Sequence, residues 1–186
     1  MTTPVPSDAL VFFGATGDLA HKKIFAALQS LVRRGALNVP IVGVAKSGMT
    51  LEDLKARARD GIEKFGGGVD EPAFAKLCSL LRYVDGDYSD ASTFEQIRTE
   101  LGQAQHPTHY LAIPPSLFGK VVQQLGAHGC AKGARVVVEK PFGRDRASAA
   151  ELSDDLHATF EEHNVFRIAH YLGKEAVQNL LYFRFA

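Results

Sequence analysis

A short apolar run that leads through a glycine turn into a long helical pattern constrains the fold of this chain most. Val11 to Phe13 precede Gly14, Gly17 follows after two intervening residues, and apolar residues then recur at helical spacing up to Gly35. This order predicts a buried strand, a tight turn and a helix. In an open α/β sheet such a turn binds phosphate, because the helix start presents unpaired N–H groups and a partial positive charge. The shortened Gly-x-x-Gly spacing also fits a turn with only a structural role. Residues further along the chain are needed to distinguish a phosphate-binding turn from a structural one.

Strand-like and helical patterns alternate through the rest of the sequence. We predict a first strand over 8–13 and further strands at 41–45, 82–84, 109–113, 134–139 and 165–168. Helices are predicted over about 19–34, 51–65, 71–81, 89–101, 116–127, 145–162 and 174–183. Thr50 and Asp53 predict a capping box at the start of the helix from Leu51. Helices long enough to cross between strands predict a doubly wound, mostly parallel, Rossmann-like α/β sheet with helices on both faces.

The amino-acid composition limits which partners the chain is expected to bind and in which cellular compartment it is expected to lie. The 21 Lys and Arg residues balance the 21 Asp and Glu residues, so no net charge attracts nucleic acid or an anionic membrane. We also find no apolar run long enough to span a bilayer and no signal core at the N-terminus. Cys78 and Cys130 belong to no metal-ligand spacing, and we therefore predict reduced thiols, a cytoplasmic location and no metal site.

Polar residues and prolines follow the second, third and fourth predicted strands, at the edge that carries the glycine turn. Lys46 stands near the place where dinucleotide folds carry a carboxylate that holds the adenosine ribose and favours NAD. No acid is adjacent in sequence, and a cation attracts a 2′-phosphate, so Lys46 predicts NADP with NAD as the weaker alternative; a solvated loop lysine fits as well. Asp87 and Tyr88 follow the third strand, and Pro114 and Pro115 the fourth. The two prolines suit either a wall of a coenzyme site or a plain helix start.

The last two predicted strands also end in residues suited to chemistry. Burying the Lys140 ammonium without partners is costly, so we expect it to face a polar cleft, and its bond to Pro141 is a candidate for the cis isomer. After the last strand, His170 and Lys174 are placed to form an anion site with a helix start, suited to a phosphomonoester. Taken alone, His170 fits a packed or surface histidine better.

Together these stretches resemble the N-terminal coenzyme-binding domain of the glucose-6-phosphate dehydrogenase family. The similarity covers essentially the whole chain and is most specific at 13–20, Lys23, 139–143 and 167–175. It implies oxidation of D-glucose 6-phosphate at C1 to the lactone, with hydride passing to NADP, in the pentose phosphate pathway. It also implies that 1–186 form one NADP-binding Rossmann domain, with 1–7 as a flexible leader and 167–186 as the start of the substrate-phosphate loop and the next helix.

The resemblance assigns roles to individual residues. Those implied to bind the coenzyme are Gly14, Ala15, Thr16, Gly17, Asp18, Leu19, Lys46, Asp87, Tyr88, Pro114 and Lys140. Those implied to bind glucose 6-phosphate are Lys23, Lys140, His170, Tyr171 and Lys174.

Departures from the family pattern concern activity and coenzyme choice. Ala169 replaces the aspartate that orients the base histidine in the family, and that histidine belongs to the family's larger C-terminal domain. We therefore expect no catalytic residue within this chain and little or no turnover of glucose 6-phosphate. We also expect self-association through the face that the larger domain would cover. Lys46 replaces an arginine, which binds phosphate in a bidentate way, and His21 replaces a lysine or arginine. The alternative is a non-catalytic nucleotide-binding module or a diverged regulatory relative.

Overall fold

A single six-stranded sheet organises the computed structural model, which describes residues 5–142 and 146–168. The strands are β1 (Ala9–Phe13), β2 (Ile41–Ala45), β3 (Leu81–Asp85), β4 (Pro107–Leu111), β5 (Arg135–Glu139) and β6 (Val165–Ile168). All five pairings are parallel, and the order is β3-β2-β1-β4-β5-β6. The predicted doubly wound, Rossmann-like fold is confirmed.

Helices connect the strands as the sequence predicts. They are α1 (Phe25–Arg33), α2 (Leu51–Phe65), α3 (Glu71–Leu80), α4 (Ala91–Leu101), α5 (Phe118–Ala127) and α6 (Arg146–Thr159). Helical backbone already begins at Asp18 and passes through a π-helical segment, Ala20–Ile24, before α1. The helix predicted to reach residue 162 ends earlier, at Thr159, and the helix predicted over 174–183 lies outside the described residues.

The chain reverses direction across the sheet between β1 and β4. From β1 it steps outward through β2 and β3, and it then returns to place β4 on the other side of β1. Connections leave β1 and β4 on opposite sides, so a crevice opens at the carboxyl ends of these two strands, where doubly wound folds bind ligands.

Both faces of the sheet are covered, which explains the continuous apolar strands. Along β1, Leu10 and Phe12 pack into a cluster with α1, α2 and α3. Val11 and Phe13 face the opposite way, into a cluster with α4, α5 and α6. Every residue of β1 is buried, as expected for the centre of a parallel sheet.

Two local predictions have different outcomes. The capping box of α2 is confirmed, because Thr50 Oγ1 accepts from the Asp53 amide at 3.2 Å and Asp53 Oδ2 accepts from the Thr50 amide at 2.8 Å. Ser7, which we placed in a flexible leader, is instead buried and fixed. Its Oγ lies 2.6 Å from Thr108 Oγ1 and accepts a hydrogen bond from the buried Arg135 guanidinium at 3.0 Å.

Cys78 and Cys130 are both free thiols, the second of them buried. Within the described ranges, none of the helices combines the length and apolar character that crossing a bilayer requires.

Candidate functional site

The two glycines of the turn after β1 are needed for different reasons. Gly14 has a φ of +85°, and a Cβ at this position would lie 2.2 Å from the carbonyl oxygen of Ala112. The fold itself therefore requires glycine here, where β1 passes close to the end of β4. Gly17 has no such conformation, and a Cβ there would meet only the Gly14 oxygen, at 3.2 Å. Of the two, Gly17 is the residue whose missing side chain leaves space beside the turn.

The backbone amides of the turn divide into bonded and available groups. The amides of Gly14 and Ala15 both donate to the Val44 carbonyl, at 2.9 and 3.1 Å, and the Gly17 amide donates to Gly14 at 2.9 Å. The first helical bond runs from the His21 amide to the Gly17 carbonyl. The amides at the start of this helix, those of Asp18 and Leu19, therefore precede the first intrahelical bond and are placed to bind an anion.

This division bears on the coenzyme-binding role that we predicted for Gly14 to Leu19. We expected Gly14 to Leu19 to act as one cradle, but Gly14 and Ala15 use their amides to build the turn, and the Ala15 side chain is buried in the core. The Asp18 side chain forms an ion pair with Lys22 at 2.9 Å. The part of the turn suited to phosphate is its later half, Thr16 to Leu19.

Tyr88 braces the turn from the loop after β3. Its hydroxyl accepts a hydrogen bond from the Gly14 amide at 3.0 Å and donates one to the Val44 carbonyl at 3.2 Å. Its ring packs edge-on against Phe13, with centroids 5.7 Å apart, and burial raises the pKa of its phenol. The sequence pointed to Tyr88 as a coenzyme contact, but the structure shows that it also holds β1, β2 and the glycine turn together.

Lys46 lies at the carboxyl end of β2, as predicted, but it is not alone there. Its Nζ is 2.8 Å from Asp87 Oδ2, although its side chain remains 72% exposed. The Lys46 ammonium, together with the Ser89 amide, lowers the pKa of Asp87 to about 2, and the pKa of Lys46 is raised in turn. No acid is adjacent to Lys46 in the sequence, but one is adjacent in the folded chain. Because β3 lies next to β2, the loop after β3 places Asp87 beside Lys46.

A second carboxylate, from β3, accepts hydrogen bonds from the loop that follows Lys46. Asp85, the last residue of β3, accepts from the Ser47 amide at 2.8 Å and from the Gly48 amide at 3.1 Å, and it also accepts from the Tyr83 hydroxyl at 3.0 Å. These bonds, chiefly the one from the Ser47 amide, lower the pKa of Asp85, whereas burial raises that of Tyr83 to about 12. The sequence offered no signal for this arrangement except the β2–β3 adjacency of a doubly wound sheet.

A small cavity adjoins this cluster of charges. It measures about 260 Å³ and is lined by Lys46, Asp87, Tyr88, Leu117 and Lys120, together with Ser89. Its wall is thus an aromatic ring and an aliphatic side chain with charges at the rim. This combination suits a flat heterocycle that carries polar substituents.

A second cavity lies on the other side of the crevice. It measures about 340 Å³ and is lined mainly by Pro114, Pro115, Pro141, Phe142 and Leu152. The Lys140–Pro141 bond is cis, as we predicted. The expectation that Pro114 shapes a wall at this edge agrees with its position here, while Pro115 begins a 3-10 turn that leads into α5.

Lys140 is exposed at the end of β5, next to this second cavity, and its amide donates to the Ile168 carbonyl at 3.2 Å. On the neighbouring strand Tyr110 donates a hydrogen bond to the Glu139 carboxylate. Burial and the nearby carboxylate raise the pKa of Tyr110. The Tyr110–Glu139 contact ties β4 to the residue before Lys140 and was not foreseen.

Of the residues implied to bind glucose 6-phosphate, two lie in the described part of the chain. Lys23 is exposed two turns into the first helix, and Lys140 is described above. Predictions for Ala169, His170, Tyr171 and Lys174 fall outside the described residues. His21, the further departure from the family, forms a hydrogen bond with Asp60, with Nε2 and Oδ2 2.7 Å apart.

Comparison with known proteins agrees with this geometry. The family model described as "Glucose-6-phosphate dehydrogenase, NAD binding domain" matches residues 11–179. Glucose-6-phosphate 1-dehydrogenase 1 of Mycobacterium tuberculosis (strain H37Rv) is 42% identical over 180 residues, which are 97% of this chain and 38% of that protein. The chain therefore spans little more than a third of this relative's length.

Solved structures give the same result. The crystal structure of glucose-6-phosphate 1-dehydrogenase from Mycobacterium avium has a TM-score of 0.85 and 43% identity, covering 97% of this chain and 40% of that one. A glucose-6-phosphate dehydrogenase in complex with its substrate glucose-6-phosphate has a TM-score of 0.79 and 37% identity, covering 100% of this chain and 41% of that one. On the strength of the fold, the crevice and these matches, the chain belongs to the glucose-6-phosphate dehydrogenase family, in its N-terminal nicotinamide-coenzyme-binding domain.

Proposed function

We propose that this chain binds NADP across the carboxyl edge of its sheet and forms the coenzyme-binding part of a glucose-6-phosphate dehydrogenase. The observation that carries the proposal is the order of features along that edge. The cavity beside Lys46 lies near β2, the anion-binding helix start follows β1, and the apolar cavity lies beside the ends of β4 and β5. An elongated ligand with a nucleoside at each end and a diphosphate between them fits this sequence of sites.

The residues of each part have distinct tasks in this proposal. The Asp18 and Leu19 amides bind the diphosphate, and the first cavity holds the adenosine end with Lys46 near its 2′-phosphate. The apolar cavity bounded by Pro114 and Pro141 receives the nicotinamide end and excludes water from one of its faces. When bound, the coenzyme supplies an acceptor for hydride from C1 of the sugar.

Lys140 is the residue of this chain that we place closest to the reacting carbon. Lys140 is exposed and directly precedes Pro141, which lines the second cavity, so we propose that its ammonium serves both the coenzyme and the sugar phosphate. A structure of a relative in complex with glucose-6-phosphate supports this substrate. One relative from Arabidopsis thaliana is named as cytoplasmic, and we propose the same location here.

We further propose that these 186 residues bind coenzyme but turn over glucose 6-phosphate very slowly or not at all. Ala169 cannot orient a base histidine as the family's aspartate does, and loss of general-base assistance typically costs roughly 10²–10⁴-fold in rate. A non-catalytic nucleotide-binding module is the second candidate, and it shares the expectation of binding without turnover.

Calorimetric titration of the 186-residue chain with NADP and with NAD tests the binding proposal. We expect saturable one-to-one binding of NADP, weakened in a Gly17→Ala variant. Absence of saturable binding of either coenzyme at millimolar concentration would disprove it. A spectrophotometric assay of NADPH formation from glucose 6-phosphate, on the same sample, then tests the activity proposal, which turnover at the rate of an ordinary dehydrogenase would contradict.

A further inference from the structure

Two carboxylates surround the lysine that the coenzyme site offers to a 2′-phosphate. Asp87 Oδ2 lies 2.8 Å from the Lys46 ammonium, and Asp85 lies at the end of the same neighbouring strand, β3. The other cation that lines the same cavity is Lys120 of α5. The charge around Lys46 is therefore not simply positive, and a phosphate that approaches this lysine also meets the Asp87 carboxylate.

The backbone amides that follow Lys46 already donate hydrogen bonds to another group. The amides of Ser47 and Gly48, which would otherwise be free to bind phosphate oxygens, donate to Asp85 at 2.8 and 3.1 Å. Among residues 46–48, a 2′-phosphate must therefore rely on the Lys46 side chain. To bind it, the phosphate has to come close to a carboxylate that already holds one of the three N–H donors of this ammonium and offsets much of its charge.

An unphosphorylated ribose meets different conditions at the same place. Its 2′-hydroxyl is neutral and is able to donate a hydrogen bond to a carboxylate without breaking the Lys46–Asp87 pair. Asp87 is held in position for this by the Ser89 amide, which donates to Oδ1 at 2.7 Å and leaves Oδ2 for Lys46. The Lys46–Asp87 pair thus disfavours binding of a 2′-phosphorylated ribose and is compatible with binding of an unphosphorylated one.

We propose that Asp87 sets the coenzyme preference of this chain by competing with the 2′-phosphate for Lys46, so that NADP is separated from NAD less sharply than an unpaired lysine would allow. This inference rests on the proposed function, because it concerns the adenosine end of the same coenzyme site. It assigns Asp87 the part of a specificity-determining residue rather than that of a simple coenzyme contact.

The test compares two fragments of the coenzyme, 2′,5′-ADP and 5′-AMP, which differ only in the 2′-phosphate. In Asp87→Asn the amide oxygen still accepts from Ser89, but the charge is removed. We expect 2′,5′-ADP to bind to this variant roughly three- to tenfold more tightly than to the parent chain, because a screened surface charge that repels the phosphate is lost. The affinity for 5′-AMP should change by less than about twofold. Asp87→Ser, which removes the carboxylate and shortens the side chain, is expected to act in the same direction.

Two further variants separate a local effect from a change in total charge. Glu161→Gln removes an exposed carboxylate that contacts His163, beside the amino end of β6 at the opposite edge of the sheet, and should leave both affinities unchanged. In a Lys46→Ala background, Asp87→Asn should lose most of its benefit, since the two residues act as one unit.

Unchanged 2′,5′-ADP affinity in both Asp87 variants would overturn the inference while leaving NADP binding by the parent chain intact. An equal gain in Glu161→Gln would also overturn it, since the effect would then be one of total charge. Failure of the parent chain to bind NADP, NAD or either fragment would instead bring down the proposed function itself.

Discussion

At the scale of single residues, Gly14 and Gly17 show how one sequence motif contains two different constraints. The first is fixed by a positive φ and by the nearby Ala112 carbonyl, whereas we propose that the second is set by the space that a ligand needs. The sequence identified both positions but could not separate them, because the neighbour of Gly14 comes from β4, almost a hundred residues later.

Substituting each glycine by alanine tests this distinction. We expect Gly14→Ala to lower the free energy of unfolding by at least about 1–3 kcal/mol, since it combines a strained φ with a backbone clash. Gly17→Ala should stay within about 1 kcal/mol of the parent chain but bind NADP roughly tenfold or more weakly, because its methyl group lies where phosphate approaches. Urea unfolding and calorimetric titration give the two numbers, and a Gly17→Ala chain that binds NADP normally would contradict our assignment.

Lys46 illustrates what the sequence could not provide at this scale. Its position and its chemistry were predicted, whereas its pairing with Asp87, 41 residues away, was not. The pairing follows from β2 and β3 being neighbours, and the predicted fold class already contained that adjacency. The aromatic brace formed by Tyr88 was missed for a similar reason, since its hydrogen bonds depend on the depth of the glycine turn.

At the scale of elements, the packing of α2 against the first helix depends on one glycine. A Cβ at Gly61 would lie 2.1 Å from the His21 carbonyl oxygen, so the two helices approach to backbone contact. The ends and the capping box of α2 were predictable from local sequence. This close approach was not, because an isolated glycine within a helical pattern does not reveal what packs on it.

We therefore expect Gly61→Ala to destabilise the fold by about 1–3 kcal/mol, as overpacking against rigid backbone does. Gly119→Ala in α5 is the matched control, because its Cβ would meet only the far end of the Asp155 side chain, at 2.5 Å, which is free to rotate away. That variant should stay within about 1 kcal/mol and gain helix propensity. Denaturant midpoints of the two variants compare them directly; equal losses would show that the helices do not depend on this contact.

At the scale of the whole molecule, two apolar clusters pack against the two faces of the sheet and form the core. Val5 and Phe65 are the large apolar side chains exposed in this part of the chain. The described residues thus offer no broad apolar patch, and the self-association that we expected stays a prediction. The architecture itself was readable in advance, because the βα alternation left few alternatives.

Acid stability of the molecule should depend on His109, which is fully buried in β4. Its Nε2–H donates to the Cys130 carbonyl at 2.8 Å, its Nδ1 has no hydrogen-bond partner among the described residues, and burial lowers its pKa to about 4. Below the ordinary histidine pKa of about 6.5 the unfolded chain takes up a proton that the folded chain refuses. Stability therefore falls as pH drops from about 6.5 to 4, by up to about 3 kcal/mol from this residue.

Urea unfolding at pH 7.5 and pH 5 measures this loss. A His109→Gln variant keeps a donor for Cys130 and should show a smaller difference between the two pH values. The exposed His163, changed to Gln, should leave the difference as in the parent chain. A pH dependence that is identical in all three chains would exclude His109 as its source.

The central place of β1 has a consequence for synthesis on the ribosome. Leu10 pairs with Ile41 of β2 on one side and with Thr108 of β4 on the other, and Thr108 follows Ile41 by about 67 residues. At a translation rate of roughly 5–20 residues per second, the nascent chain waits about 3–13 s between gaining one neighbour and the next. During that interval the wholly apolar strand β1 presents an open edge, so this interval is where we expect chaperones to matter most.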